Sequence, residues 1–511
     1  MIIALDCVYT ICEYVKYGPV INALQPSVKV DYIVQRGDFL TAKFLVWWSI
    51  IWALIIGILA PVVNYLTPLL NPAYNNMWTP DIFWRLDLYW HGAFIPWMLA
   101  LAALALTVLG LDSMRGRIGT HLRHMLLIGG LFGVPLAAIG AIFNVYNTFA
   151  FGIPMWTQVV SIGIGGETVF FLIISLLIYP RESRKGYGQV GFPYYVVLLC
   201  AIGIILAALM GDVSGWITWF GPWPSIFPQY INSTMYPVLG FYNSTAVVTW
   251  TEDMVTSHSH LMLPSVMASI VALTPAVYGY AKWEKREKAL STIGFVIMVV
   301  GLVLSVWIYL VSGVGNYFIP TLFQSGPNGI NGLAMDDMMT GIVGLGAAFV
   351  LVALVSYARK GKTADGTVLV KDYMFLSIIA AWVFIYLLIP VTGYYIEFNQ
   401  SFYSAAGLGF DAAFTRFHQD FAFFMLPALV TSILIFDVFG ISGKTRRTVG
   451  LLYLVGTSIT LVFGWVYAMV TLDMVFLYIS AFGGMLIGLG ALIGAEFLRK
   501  SGKAAIHTQG S

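Results

Sequence analysis

Charged residues are scarce in this sequence: they make up 10% of its 511 residues, whereas 59% are hydrophobic. Soluble domains carry about 25% charged residues and roughly 45–50% apolar ones. The scarcity therefore excludes an ordinary soluble enzyme, and a net charge of +2 gives no reason to expect a nucleic-acid partner. The composition predicts one polytopic membrane domain, with the lipid bilayer as its surroundings.

Cysteine is also scarce, and its placement excludes two kinds of inference. Cys7, Cys12 and Cys200 have neither metal-ligand nor disulfide spacing, so they indicate no iron–sulfur cluster and no redox compartment. The first 40 residues lack a long apolar core and include Asp6 and Lys16. A cleaved signal peptide is therefore not expected.

Long apolar runs are abundant. A window of about 20 apolar residues, the length that spans the hydrocarbon core, predicts twelve transmembrane helices. They lie near 43–66, 90–111, 122–148, 155–179, 192–212, 255–280, 290–312, 336–358, 372–391, 416–438, 448–470 and 473–498. The predicted fold class is all-α, with an N-terminal cytoplasmic or interfacial segment over 1–39, a membrane domain over 40–498 and a polar tail over 499–511.

Positive charge is distributed unevenly over the segments between these helices. All but two of the 26 Lys and Arg residues fall within residues 1–43 or in alternate connections, at 112–124, 180–190, 281–289, 359–371, 438–447 and 499–503. By the positive-inside rule these segments are cytoplasmic, and an even number of spans places both termini there. We therefore expect a multi-pass protein of the cell membrane.

The two remaining cations, Arg85 and Arg416, fall on the outer side, and each lies close to a histidine. Arg85 comes six residues before His91, and Arg416 comes two before His418. One interpretation is that the arginines snorkel or pair with nearby carboxylates, namely Asp81, Asp87 or Asp420. The other is that each arginine binds a carboxylate of a cofactor held by its histidine.

The seven histidines divide into two groups. Those in a basic inner loop or in the polar tail are expected to be solvated, namely His121, His124 and His507. His91, His258, His260 and His418 fall near the outer ends of predicted helices two, six and ten, at nearly equal intervals along the chain. Because polar groups at membrane depth usually face a bundle interior, this layer suggests three four-helix units with histidine at one depth.

Histidines at one depth on separate helices suit the binding of a transition metal, since neutral imidazole is a common ligand of iron, copper and zinc. Two imidazoles from opposite helices clamp a heme iron on both faces, whereas one imidazole leaves a position for a gas ligand. The competing interpretation is that these histidines only form hydrogen bonds between helices. No Cys-x-x-Cys-His is present, so covalent attachment of heme through that motif is not expected.

Two short motifs sharpen this picture: Tyr89-Trp-His-Gly92 in helix two and Arg416-Phe-His418 in helix ten. With the twelve spans, they resemble subunit I of the heme-copper oxidase superfamily, in particular its B-type branch, over residues 40–498. The resemblance implies three four-helix arcs and a low-spin heme whose iron ligands are His91 and His418. A separate hypothesis is that Arg85 and Arg416 hold the heme propionates, in place of the Arg-Arg pair that the family carries outside helix eleven.

The residues of the oxygen-reducing centre depart from that family. Arg416 occupies the position of the histidine that binds the high-spin heme, and a guanidinium, which stays protonated, is no iron ligand. The His-His pair of the copper site would fall at Tyr317 and Phe318, and the tyrosine expected after the helix-six histidine would fall at Met262. No His-His dipeptide occurs anywhere in the chain, and 470–473 lacks the Arg-Arg pair expected there.

The preferred interpretation is a heme-binding integral membrane subunit of a respiratory electron-transfer complex, which keeps the bis-histidine heme and lacks the usual oxygen-reducing heme-copper centre. Ser257-His258-Ser259-His260 then holds either a second cofactor, a heme or a single metal ion, or only hydrogen bonds. The expected partners are other membrane subunits of the complex and an electron donor on the outer face, which is quinol, a cytochrome or a copper protein.

Two alternatives stay open. In the first, the chain is an active terminal oxidase or nitric oxide reductase with an unorthodox centre, built from His258, His260 and one or more acidic residues, namely Glu252, Asp253 or Glu167. In the second, it is a membrane transporter without heme, with helices broken near 222–228 and 326–332. The outer segment 213–254 is predicted to be an ordered interfacial cap or a docking surface.

Overall fold

Helices account for nearly all of the chain that the structure describes. The computed structural model describes residues 44–48, 51, 101, 104–105, 130–131, 193, 195–207, 244–308, 332–363, 365–388, 426–471 and 473–500. Over 244–260 it describes the course of the backbone alone. Within these ranges there is no β-strand, and a single antiparallel bridge joins Lys362 to Val368.

The helices that matter for the site are numbered in chain order. They are α1 (Tyr195–Ala207), α2 (Ser244–Val277), α3 (Lys285–Ile308), α4 (Gly332–Ala358), α5 (Tyr373–Trp382), α6 (Leu426–Val438), α7 (Gly443–Val466) and α8 (Met474–Lys500). Two of them continue as short π-helical segments, α5 over Val383–Leu388 and α7 over Tyr467–Thr471. Short 3₁₀ turns at Tyr280–Lys282 and Leu369–Lys371 precede α3 and α5.

Four helical stretches are long and apolar enough to cross a membrane. They are Lys285–Val306, Met338–Ala358, Gly443–Thr471 and Tyr478–Lys500. Shorter apolar helical stretches occur in α1, α2, α5 and α6. The chain is therefore a helical membrane protein, as its composition predicts. The predicted spans at 90–111, 122–148 and 155–179 lie almost wholly outside the described residues, and so does the arrangement in three arcs.

The start of α2 differs from the prediction. The hydrophobic window placed this helix over 255–280, whereas the helix begins at Ser244. Thr251, Glu252 and Asp253 end the apolar window, but 244–263 contains neither proline nor glycine to end the helix itself. The last part of the segment that was predicted to be an interfacial cap is therefore the first part of α2.

Local side-chain contacts explain several helix ends. Asp372 accepts a hydrogen bond from the backbone N–H of Phe375 at 3.1 Å, as an N-cap does, and so starts α5. Glu287 reaches back to the backbone N–H of Glu284 at 2.7 Å and so completes the first turn of α3. Gly279, with φ of 76°, follows the end of α2 in the left-handed conformation that glycine favours after a helix.

Small residues let the membrane helices approach closely. A Cβ on Gly456 of α7 would lie 2.7 Å from the carbonyl oxygen of Gly483 on α8, so the two backbones leave no room for a side chain. Beside this contact, Thr460 Oγ1 donates to the Ser480 carbonyl at 3.1 Å, and Ser480 Oγ donates to the Thr460 carbonyl at 2.9 Å. The α7–α8 hairpin is therefore held by close glycine packing and a reciprocal pair of hydrogen bonds.

The basic connections gather at one end of the helices, here named the basic end. Lys360 contacts the carboxylates of Glu284 and Glu287 at 2.5 and 2.9 Å, which joins the end of α4 to the start of α3. Asp365 accepts a hydrogen bond from the N–H of Gly443 at 3.2 Å, which adds the start of α7. Every Lys and Arg of the described residues lies at this end, namely Lys282, Lys285, Arg286, Lys288, Arg359, Lys360, Lys362, Lys371, Lys444, Arg446, Arg447, Arg499 and Lys500.

Candidate functional site

Helix α2 carries the predicted site residues that fall within the described part of the chain, His258 and His260. The carboxylates of the oxidase alternative, Glu252 and Asp253, lie on the same helix. The other predicted ligands and cofactor-binding residues lie outside the described residues, namely His91, His418, Arg85, Arg416 and Glu167. The site is therefore built from the backbone of α2 and its neighbours.

The two histidine positions lie on opposite faces of α2, because the helix is continuous through 257–260. Residues two apart in an α-helix are rotated by about 200° about its axis. His258 is in register with Leu261 and Ser265, three and seven residues later. A Cβ on Gly203 of α1 would clash with Ser265 Oγ, so this stripe of α2 packs against α1.

His260 belongs to a different stripe. It is in register with Leu263 and Met267, which are both buried. The hydroxyl of Tyr386, in the π-helical continuation of α5, donates to the Met267 carbonyl at 2.9 Å. The stripe of His260 therefore lies on the side of α2 next to α5, whereas the stripe of His258 lies on the side next to α1.

Proline changes the backbone directly after the histidine pair. Pro264 lies inside α2, four residues after His260. Since proline has no N–H, the carbonyl of His260 lacks its usual helical donor at i+4, and proline at such a position bends a helix. The pair thus sits directly before a turn that lacks one helical hydrogen bond.

The depth of the pair follows from the geometry of α2. The apolar part of the helix runs over Leu261–Val277, and Val277 adjoins the basic end. With a rise of 1.5 Å per residue, His260 lies about 25 Å from Val277 along the axis. For comparison, a hydrocarbon core is about 30 Å thick.

Each face of α2 carries one of the two histidine positions, and this limits what His258 and His260 can bind together. Positions i and i+2 of a continuous helix lie on opposite faces, so the two residues are presented to different neighbours. Each can ligate a separate cofactor or form a hydrogen bond to a separate helix. Among the residues that the structure describes, no group of three or more His, Cys, Asp or Glu side chains is placed to hold a metal ion.

The sequence reasoning missed a buried charge cluster at the basic end. Arg446 donates from Nε and Nη2 to the two oxygens of Asp372, at 3.0 and 2.7 Å. Its Nη1 donates to Asp437, whose other oxygen accepts from the Tyr278 hydroxyl at 2.5 Å. These contacts join α5, α6, α7 and the end of α2. All three charged side chains are under 9% exposed, so the cluster holds helix ends together.

One sequence signal could have found this cluster. Asp437 ends the apolar run Leu434-Ile-Phe436 of α6, and a carboxylate at such a position needs a partner. The positive-inside rule counts Arg446 only as one more loop cation, and a count of charges contains no information about pairing.

The exposed carboxylate of Asp365 also has defined partners at the basic end. The hydroxyl of Thr363 donates to it at 2.5 Å, and the N–H groups of Thr367 and Gly443 donate at 3.3 and 3.2 Å. The hydrogen bond from Thr363 contributes most to lowering the pKa of Asp365 to about 2, since these donors favour the charged form. The ionised carboxylate therefore fastens the turn between Lys362 and Val368 to the start of α7.

No family model, no curated protein and no solved structure matches the chain. The function proposed below accordingly rests on the sequence and on the geometry of α2.

Proposed function

We propose that this chain is a heme-binding integral membrane subunit of a respiratory electron-transfer complex, similar to subunit I of the heme-copper oxidases. The observation that supports the proposal best is the register of His258 and His260 on α2. The two histidine positions lie on opposite faces of α2. This arrangement suits a helix that offers one histidine to a cofactor or a neighbouring helix on each of its two sides.

The low-spin heme of the proposal is held by His91 and His418, with Arg85 and Arg416 at its propionates. A heme bound by two imidazoles supplies a one-electron redox centre with no open coordination position. The histidines fix the ring between helices two and ten, and the guanidinium groups offset the charge of the propionates in a membrane setting. This assignment rests on the motifs of the sequence.

The pair on α2 has a secondary role in this proposal. Because the two histidine positions lie on opposite faces of α2, a second heme or a single metal ion takes only one ligand from the pair. The other histidine then forms a hydrogen bond to the helix on its own side. The usual three-histidine copper site is therefore absent from the proposal, and with it the reduction of oxygen by the usual heme-copper centre.

The sidedness of the basic end supports the proposed location. By the positive-inside rule the basic end faces the cytoplasm, so the histidine pair lies toward the outer face of the cell membrane and both termini are cytoplasmic. An electron donor, which is quinol, a cytochrome or a copper protein, then approaches the heme from the outer face. Other membrane subunits of the complex accept the electrons.

The proposal is tested on the purified full chain by its absorption spectrum. His91→Ala and His418→Ala are each expected to remove the low-spin heme signal, because each removes one axial ligand. His121→Ala is the matched control, since the sequence predicts that this histidine lies in a basic loop, and its loss is expected to leave the signal unchanged. His418→Gly with added imidazole should regain the signal, which separates loss of a ligand from misfolding.

The same preparation distinguishes the alternatives. Consumption of oxygen or nitric oxide by the isolated complex, with a carbon-monoxide-reactive heme and stoichiometric copper, would replace the proposal with an active oxidase or reductase. A folded chain without a Soret band would favour the transporter.

A further inference from the structure

Three exposed cations lie at the basic end, where the connection between α4 and α5 approaches the start of α7. They are Lys371, Lys444 and Arg447, here named the basic cluster. Arg446 forms a bidentate ion pair with Asp372. Arg447 directly follows Arg446, and Lys371 directly precedes Asp372, so each of these cations is one residue from a partner of the ion pair. Lys444 and Arg447 are three residues apart on α7 and so are neighbours on its surface.

The carboxylates around the basic cluster are already engaged. Asp372 uses both oxygens on Arg446, and one of them also accepts from the N–H of Phe375. Asp437 is bound by Arg446 and by the Tyr278 hydroxyl. Asp365 accepts its hydrogen bonds from its own turn and from the start of α7. Within the described residues, no carboxylate forms an ion pair with a member of the basic cluster.

The position of the basic cluster relative to the apolar helices identifies the nearest source of anions. Lys371 lies two residues before α5, and Lys444 and Arg447 lie in the first turns of α7, a helix apolar enough to cross the membrane. Side chains at such a boundary lie at the level of the lipid head groups. A leaflet presents phosphate groups at this level in far higher density than the solution does.

We propose that the basic cluster binds the phosphate of an anionic lipid head group, of the phosphatidylglycerol type. The guanidinium of Arg447 and the two ammonium groups contact the phosphate oxygens, while the acyl chains lie along α5 and α7. The bound lipid fastens the α4–α5 connection to the start of α7 from outside, next to the ion pair that joins Asp372 to Arg446 from inside. This proposal is independent of heme binding.

Charge complementarity sets the size of the expected effect. Each Lys or Arg near an anionic membrane surface strengthens binding about fivefold. Removal of two members of the cluster by Lys444→Gln and Arg447→Gln is therefore expected to weaken binding of the lipid about 25-fold. Because the interaction is electrostatic and exposed, raising the salt concentration from about 0.1 M to 1 M should weaken it further in the unchanged protein.

The chain offers a matched control of equal charge. Arg499 and Lys500 are also exposed at the basic end, but both pair with Glu496, at 2.7 and 3.1 Å. Replacing both by glutamine removes the same charge as the variant of the basic cluster. Since these cations already have an anionic partner, the control is expected to change lipid binding less than threefold.

The test is a titration of the purified full chain in neutral detergent with phosphatidylglycerol and, separately, with phosphatidylcholine, with bound lipids counted by native mass spectrometry. The proposal expects preferential binding of phosphatidylglycerol, its loss in the Lys444→Gln/Arg447→Gln variant, and its retention in the Arg499→Gln/Lys500→Gln control. Lys371→Gln is expected to weaken phosphatidylglycerol binding by a smaller factor. This single variant provides the test if the double variant fails to fold.

Three results would overturn the proposal. The first is equal binding of the two lipids. The second is an equal loss in the cluster variant and the control, which would mean that only net charge matters. The third is full competition by millimolar inorganic phosphate, which would make the cluster a site for free anions.

Discussion

The neighbouring glycines Gly483 and Gly484 of α8 should respond in opposite ways to the same substitution. A Cβ on Gly483 would lie 2.7 Å from the Gly456 carbonyl oxygen and 2.7 Å from the backbone nitrogen of Thr460. A Cβ on Gly484 would meet no atom within 4 Å. We therefore expect Gly483→Ala to destabilise the protein and Gly484→Ala to leave it unchanged or slightly more stable.

The magnitude follows from three contributions. Forcing a methyl group into the α7–α8 contact costs about 1–3 kcal/mol, because the helices must separate. That separation also weakens the two hydrogen bonds between Thr460 and Ser480, at about 1 kcal/mol each. Alanine favours the helix over glycine by about 1 kcal/mol at either position. The net expectation is a loss of about 2–4 kcal/mol for Gly483→Ala and a gain of up to about 1 kcal/mol for Gly484→Ala.

The assay is SDS-induced unfolding of the purified protein in mixed micelles, which gives the free energy of unfolding of each variant. The two substitutions add the same methyl group to adjacent residues of one helix, so each is the control for the other. Equal effects of the two variants, or a more stable Gly483→Ala, would refute the proposed close packing of α7 on α8.

Two further predictions concern the basic end. Arg446→Gln should lower the free energy of unfolding by about 3–5 kcal/mol, because it leaves two carboxylates buried without a cation. The control is Arg499→Gln, whose side chain is 53% exposed. It should change the free energy of unfolding by less than about 1 kcal/mol in the same SDS assay. The pKa of Asp365 is lowered to about 2 from an ordinary 3.8, so its contacts should be complete above about pH 3.8 and lost as the pH falls through about 2. Hydrogen exchange of the Gly443 amide, corrected for its intrinsic rate, measures the loss of its hydrogen bond to Asp365. Asp365→Ala should remove the protection of this amide at every pH. Unchanged protection in that variant would contradict the hydrogen bond.

The sequence predicted the class of the protein and the position of most described helices, because both depend on apolar run length. The predicted segments at 290–312, 336–358 and 473–498 correspond to α3, α4 and α8 with ends that differ by a few residues. The early start of α2 at Ser244 was not predicted, since a hydropathy window ends at Glu252 whether or not the helix does.

The buried pairing of charges could not be predicted from composition. The sequence prediction placed Arg446 in the basic connection 438–447, whereas it lies in α7, and only the fold brings Asp372 and Asp437 to it. The register of His258 and His260 is simpler, because their opposite faces follow as soon as the segment is known to be helical. Which helices those faces meet depends on packing between distant parts of the chain.

The measurement that tests the central claim most directly is the absorption spectrum of the reduced, purified full chain with and without carbon monoxide. The account predicts a Soret band and low-spin heme bands that carbon monoxide leaves unperturbed, because two histidines occupy both axial positions of the iron. A shift of the whole heme signal on addition of carbon monoxide, or a folded chain with no Soret band, would contradict it.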